Sequence, residues 1–316
     1  MDFFGSLLSS MPGAVAQGLI WGIMAIGVYI TYRILDVADL TVDGSLGTGG
    51  AVCVILILNG VPVAAAMAAA VLAGMLAGAV TGLLHTACGI PAILSGILTQ
   101  LALYSINLRV MGAGTGAGKA NLPVSVDKYR LLLSARYVRA ADATNPNLVL
   151  IVAVALIIGV LYWYFGTESG CSLRATGANE AMARAQGINT NVAKVLGLAL
   201  SNGLVAFAGA LLAQYQGFSD INMGRGAIVI GLAAVIIGEV LLSRVFRNFA
   251  LKLAACVIGA IVYYMVIQVV LLAGLSTDDL KLLTALVVAL FLSVPYWKGR
   301  LSAKKGAQKK GGASRA

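Results

Sequence analysis

The sequence predicts an all-α fold, a polytopic membrane bundle of about nine transmembrane helices (eight to ten) with a Gly-rich break in the second. Three observations carry this. Of the 316 residues, 60% are hydrophobic and 11% charged, with a mean hydropathy of +0.94; a soluble domain carries roughly twice that charge fraction. Apolar runs of ~20 residues recur along the chain, the length a helix needs to cross a hydrocarbon core. The short alternating segments of a transmembrane barrel are absent.

In chain order, residues 1–11 read as a short interfacial helix, and Pro12 sits where the first span, 12–35, can begin. Next comes DVADLTVDGSLGTGG, residues 36–50. Asp36, Asp39 and Asp43 with Gly44, Gly47, Gly49 and Gly50 interrupt the apolar chain. They predict an unwound stretch facing a protein interior or solute path, or close helix packing through small residues. The second span continues to Asn59, and Asn59-Gly60-Val61-Pro62 is a turn. The third, 63–87, carries Gly74, Gly78 and Gly82 at i, i+4, i+8, a ridge for close helix contact. The fourth, 92–110, is polar for a lipid-facing helix: Ser95, Thr99, Gln100, Tyr104, Ser105 and Asn107 must face the bundle or a cavity. Spans five to nine are 147–165, 195–216, 226–242, 246–273 and 279–296. The whole reads as one transmembrane domain, 1–297, followed by a basic disordered tail, 298–316.

Charge sets the orientation. Seven of the ten net positive charges lie after the last span, at Lys298, Arg300, Lys304, Lys305, Lys309, Lys310 and Arg315. Such a tail is expected in the cytoplasm, against anionic lipid and not nucleic acid. Counting back puts 172–194 inside, 111–146 outside despite its basic residues, and Asp36–Asp43 inside near the membrane surface. The outer loop's Lys119, Lys128, Arg130, Arg136 and Arg139 could meet acidic groups on a partner.

A catalytic set is missing. The glycines of 112–118 before Lys119 imitate a phosphate loop, but Ala113 and Ala120 occupy its required Gly and Ser/Thr positions. Cys53, Cys88, Cys171 and Cys256 form no CxxC pair and are expected as small buried hydrophobes. His85 alone builds no metal site. Glu239 is the main acid expected within a span, beside Arg244, and mid-membrane acids of the kind proton-coupled carriers use are scarce. The spans offer uncharged polarity instead: Gln100, Asn107, Asn202, Gln214 and Gln268 are candidates for lining a translocation path, each also explicable as an interhelical hydrogen bond. Asn202 and Gln214 lie ~120° apart on one helix and cannot serve one straight narrow path.

The stretch Ser172–Lys194, within a loop spanning 166–194, is the longest polar interval expected inside. Asn179-Glu180 opens a short helix there, the residues to Gln186 favour it, and Gly187 ends it. A small amphipathic helix of this kind suits a groove on a soluble partner, and it is equally an ordinary connector.

Two motifs add a resemblance. Leu173-Arg174-Ala175-Thr176-Gly177-Ala178-Asn179-Glu180, followed by Ala183-Arg184 and Gly187-Ile188-Asn189, resembles the coupling loop of ABC importer permeases of the branched-chain amino acid/ribose type. Asn222-Met223-Gly224 through Gly231–Glu239 is a second match, and the chain is most similar to amino-acid (tryptophan-like) permeases. The resemblance implies a transport subunit of a bacterial plasma (inner) membrane. It would have no cofactor of its own; ATP and Mg would be bound by a partner ABC ATPase subunit. It also implies an external or periplasmic solute-binding protein and a homodimer or paired homologue. By motif, Arg174, Gly177, Asn179, Glu180, Arg184 and Gly187 are the expected coupling positions. The expected solute is an amino acid, with sugar or nucleoside as alternatives. The other reading is an ATP-independent carrier or channel.

Overall fold

The computed structural model describes residues 3–113, 118–126, 128–129, 131–138, 145–242, 248–272 and seven positions between 282 and 293. Ten α-helices, a π turn, a 3-10 turn and two short strands are described: α1 Phe3–Tyr29, the π turn Ile30–Ile34, α2 Val42–Leu58, α3 Val63–Thr86, α4 Ala92–Met111, β1 Asn121–Pro123, the 3-10 turn Ala135–Tyr137, α5 Pro146–Tyr164, α6 Glu168–Ala178, α7 Glu180–Ala185, α8 Thr190–Gln216, β2 Phe218–Asp220, α9 Ala227–Leu242 and α10 Phe249–Leu272. Six of these stretches are long and apolar enough to cross a membrane, and α2 and α9 are shorter apolar helices. Of the expected ninth span, 279–296, only the seven positions between 282 and 293 are described, all of them helical; the tail and Arg130, Arg139, Arg244 and Arg247 fall outside the described residues.

Helix α8 is the axle, with α1, α2 and α3 packed around it. Backbone proximity explains why. Methyl groups at Gly74, Gly78 and Gly82 of α3 would strike Asn202, Leu198 and Val195 of α8, so the predicted glycine ridge is real and its partner is α8. Dispersion between closely approached backbones is what holds helices together where lipid removes the hydrophobic driving force. The outer faces of α3, α4 and α5 carry exposed Leu76, Leu101 and Leu156, the side chains a bilayer or a second subunit would cover.

Several expectations need correction. No separate interfacial helix precedes Pro12; α1 starts at Phe3 and runs through it, with Pro12 inside the helix, where it removes one backbone hydrogen bond. The glycine run is not unwound. Gly44, Gly47, Gly49 and Gly50 all lie inside α2 and are buried; a side chain at Gly49 would overlap the Ala206 backbone. The break lies upstream, at Asp36–Leu40, where the chain leaves the π turn with Asp36 at φ +54°, a conformation Asp tolerates better than most residues. The 111–146 segment is not simply exposed: β1 pairs antiparallel with β2, and Leu122, Val124 and Leu133 are buried. Cys53 and Cys256 are buried as expected, but Cys88 and Cys171 are exposed. Glu239 pairs with Arg33, at 3.0 Å.

Asp36–Asp43 does not rest near a membrane surface. Asp39 is buried, and its Oδ2 accepts from Asn202 Nδ2 at 2.6 Å. Asn202 lies about 18 Å along α8 from Thr190, by the 1.5 Å rise, near the middle of that span. The extended segment therefore climbs from the end of α1 to mid-depth before α2 starts. From the other side, β2 and the turn after it descend beside α2, so that Ser219 and Met223 lie against Gly50 and Ile221 faces Gly47. The two broken elements meet where Asp43 Oδ2 and Oδ1 accept from Gly226 N and Ile228 N, both at 3.0 Å, at the start of α9. A carboxylate there satisfies N–H groups that a helix start leaves unpaired.

Candidate functional site

The knuckle between α5 and α8 is built from local rules. Thr167 caps α6, accepting from Gly170 N at 3.5 Å. Asn179, extended at φ −161°, ends α6 and caps α7, its Oδ1 accepting from Met182 N at 3.0 Å. Gly187 at φ +83° ends α7, with Ile188 N donating to Ala183 O at 3.1 Å. Glu180 then locks the knuckle to α8. Its Oε1 accepts from Arg184 Nη2 at 2.6 Å and its Oε2 from Lys194 Nζ at 2.8 Å. Thr190 Oγ1 adds a bond to Glu180 at 3.3 Å and accepts from Arg184 Nε at 2.8 Å. The Lys194 hydrogen bond, with the charges of Lys194 and Arg184, holds the Glu180 carboxyl below the usual carboxylate range against a smaller desolvation effect.

What remains free is a surface. Met182 is 63% exposed, and Asn179, Ala181, Ala185 and Gln186 are exposed around it. Arg174 turns back into the bundle: its Nη2 donates to Phe165 O at 2.8 Å, and its guanidinium lies over the Phe249 ring. Gly177 faces inward, against Ile34 and Leu35 at the π turn. The six motif positions thus share one knuckle, with Arg174 and Gly177 anchoring it and Asn179, Glu180, Arg184 and Gly187 shaping its exposed end. Sequence reasoning found α7 and missed α6, although Thr167-Glu168 is a readable cap and first-turn acid.

The candidate path residues divide. Gln100 and Asn107 line one cavity of about 370 Å³, together with Asp43, Leu101, Tyr104 and Arg225. Asn202 instead belongs to a buried lock: it donates to Asp39 and its Oδ1 accepts from Ser45 Oγ at 2.6 Å, while Thr41, Thr81 and Thr99 chain their hydroxyls beside it at 2.7 and 2.9 Å. Gln214 also binds structure, accepting from Leu132 N at 3.0 Å and donating to Cys53 Sγ at 3.4 Å. Gln268 is half-buried on α10, away from the cavity's lining. Arg225 was missed, and nothing local pointed to it. Tyr104 was expected to face the bundle or a cavity, and Asp43 belonged to the stretch weighed as facing a solute path, but neither was singled out as a path residue; the spacing of Gln100, Tyr104 and Asn107, four then three residues on one helix face, groups those three.

Among the described residues no group of His, Cys, Asp and Glu could hold a metal ion. A bundle of membrane spans with two broken elements meeting at a polar cavity, and a braced knuckle at one end, defines the membrane subunit of a transporter. Residues 11–294 match the family model described as branched-chain amino acid transport system / permease component, and the chain belongs to that family. It is a multi-pass permease subunit of the ABC transporter class, in which ATPase activity resides in a partner subunit.

Among known relatives, the chain is 39% identical over 287 residues to a tyrosine transport system permease protein of Clostridioides difficile, covering 90% of this chain and 91% of the relative. It is 28% identical over 256 residues to a xylose transport system permease protein of Haemophilus influenzae, covering 78% and 64%. A solved ABC transporter in an inward-facing conformation aligns over 91% of this chain and 85% of its own, at 14% identity and a TM-score of 0.49.

Proposed function

We propose that this permease imports an amino acid across a bacterial inner membrane, receiving it from an external solute-binding protein. A partner ABC ATPase that binds ATP and Mg would drive it, and two permease copies or a paired homologue would complete the channel. The C-terminal tail lies in the cytoplasm in this reading, with the knuckle on the same side.

The observation that carries the drive mechanism is the form of α7. A six-residue helix is too short to persist alone, yet here both ends are capped and its one acid is tied to α8. A rigid knob with an exposed methionine is suited to a groove on a soluble subunit. Arg174, Gly177, Asn179, Glu180, Arg184 and Gly187 keep its shape. An ATPase that holds the knob differently before and after hydrolysis biases the bundle between two states. The push passes from α6 through Gly177 to Ile34, then along the extended segment to α2, whose first residues line the cavity.

The solute class rests on the tyrosine-named relative, which aligns over nearly its whole length. The xylose-named relative supports sugar as the second reading, at lower identity and coverage. The test is co-purification of the chain with an ATPase subunit, followed by ATP-dependent uptake in vesicles containing both and the binding protein. Uptake of an amino acid only when all three are present is expected; uptake by this polypeptide alone would overturn the importer reading.

A further inference from the structure

We infer that the cavity between α2, α4 and the turn before α9 is a binding site for the zwitterionic head of an α-amino acid, with Asn107 and Asp43 taking the ammonium and Arg225 the carboxylate. This rests on the amino-acid reading above.

Asn107 supplies the first argument. It is 2% exposed, it lines the cavity, and its Oδ1 has no hydrogen-bond partner among the described residues. Its Nδ2 donates to Gly44 O in a long contact of 3.5 Å. A buried amide oxygen without a donor is costly unless a ligand supplies one.

Asp43 supplies the second. Each of its carboxylate oxygens accepts one backbone N–H, and a carboxylate has about four acceptor positions. Acceptor capacity therefore remains on an anion that already sits at the cavity wall. An ammonium has three donors and suits two such acceptors.

Arg225 supplies the third. Its side chain lines the same cavity, and no ion pair joins it to Asp43 or to any other described residue. A guanidinium offers a planar fork that matches a carboxylate. Opposite charges held apart on one cavity wall are complementary to a zwitterion and mismatched to a neutral sugar. Tyr104 leaves an aromatic side for the solute's side chain. The location also suits a solute. At mid-depth, where two broken elements meet, polar backbone and side chains can face a bound molecule without facing lipid.

The test measures binding to the purified permease in lipid nanodiscs, without its ATPase. The probes are L-tyrosine, L-leucine, D-xylose, tyramine (no carboxylate) and 3-(4-hydroxyphenyl)propanoate (no ammonium). Expected is binding of at least one amino acid, with tyramine and the propanoate each at least about tenfold weaker than L-tyrosine, a tenfold step being the loss of one good polar contact. Asn107→Leu should reduce discrimination against the propanoate, Asp43 remaining as the second acceptor, and Arg225→Gln should erase that against tyramine, while Asn107→Asp and Arg225→Lys retain more of each. Equal affinity for L-tyrosine, tyramine and the propanoate, binding of D-xylose alone, binding of no probe, or discrimination unchanged in both loss variants would overturn the site. Receptor-stimulated ATPase of the full complex is measured in parallel. Its absence would count against the importer reading alone, since the nanodisc assay does not use it.

Discussion

Gly177 of α6 lies directly against the carbonyl of Ile34, with no space for even a methyl group between them. That contact joins the knuckle to the only π turn among the described residues, at the foot of the climb to the cavity. π turns frequently mark functional positions because they leave backbone groups less tightly committed.

A side chain at Gly177 should therefore uncouple the two ends. Gly177→Val is expected to cost about 1–3 kcal/mol of local packing, as overpacking does, and to lower receptor-stimulated ATPase while leaving the permease in the membrane. Gly159→Ala is the control: nothing lies within 4 Å of its added carbon, and alanine favours α5 by about 1 kcal/mol. Equal behaviour of the two variants in the ATPase assay would contradict the mechanical link.

Removing the cap tests the knuckle itself. Asn179→Ala should weaken α7 by about 1 kcal/mol, raising the opened fraction by a factor of about 5. Limited proteolysis of the solubilised permease between residues 179 and 187 reads this directly. The Asn179→Ala, Glu180→Ala double variant should lose coupled ATPase; retention of it would remove both residues from the coupling set.

Glu180 gives a pH signature. Its carboxyl is held lower in the folded knuckle than its ordinary 4.5. A depressed acid contributes stability that is full above its unfolded value and lost as pH falls through the folded one. The knuckle should thus be indifferent to pH above the ordinary carboxylate range and loosen progressively as pH falls below 4.5. The side chain is 36% exposed, so solvent screening limits each pair to about 0.2–1 kcal/mol. Glu180→Gln should show the loosened proteolysis pattern already at neutral pH and no further change on acidification.

The Asp39 lock predicts a stability loss. Asp39→Ala leaves Asn202 Nδ2 without its 2.6 Å acceptor and Thr41 N without its 2.9 Å one. Each unpaired buried donor costs about 1–3 kcal/mol. Asp39→Asn keeps one acceptor oxygen and should lie between. Thermal unfolding in detergent orders the three proteins, and an Asp39→Ala midpoint equal to the parent's would show that the lock carries no stability.

Composition and run length were enough to establish a helical membrane bundle, since hydrocarbon permits few ways to satisfy a backbone. The α7 helix was equally legible: Asn179, Glu180 and Gly187 act through hydrogen bonds to neighbours within a few residues, and local sequence contains such bonds. The Gly74–Gly78–Gly82 ridge was visible too, but its partner on α8 was not. Only the tertiary structure decided where the polar groups sit. Gln100 and Asn107 came together because they share one helix, whereas Asp43 and Arg225 joined them from other segments of the chain, Arg225 from over a hundred residues away. The same holds for Asp39, which looked like a surface acid until Asn202 was seen to meet it. A residue's depth in a membrane depends on which elements are broken and where they re-enter, and that is fixed by packing between segments distant in sequence.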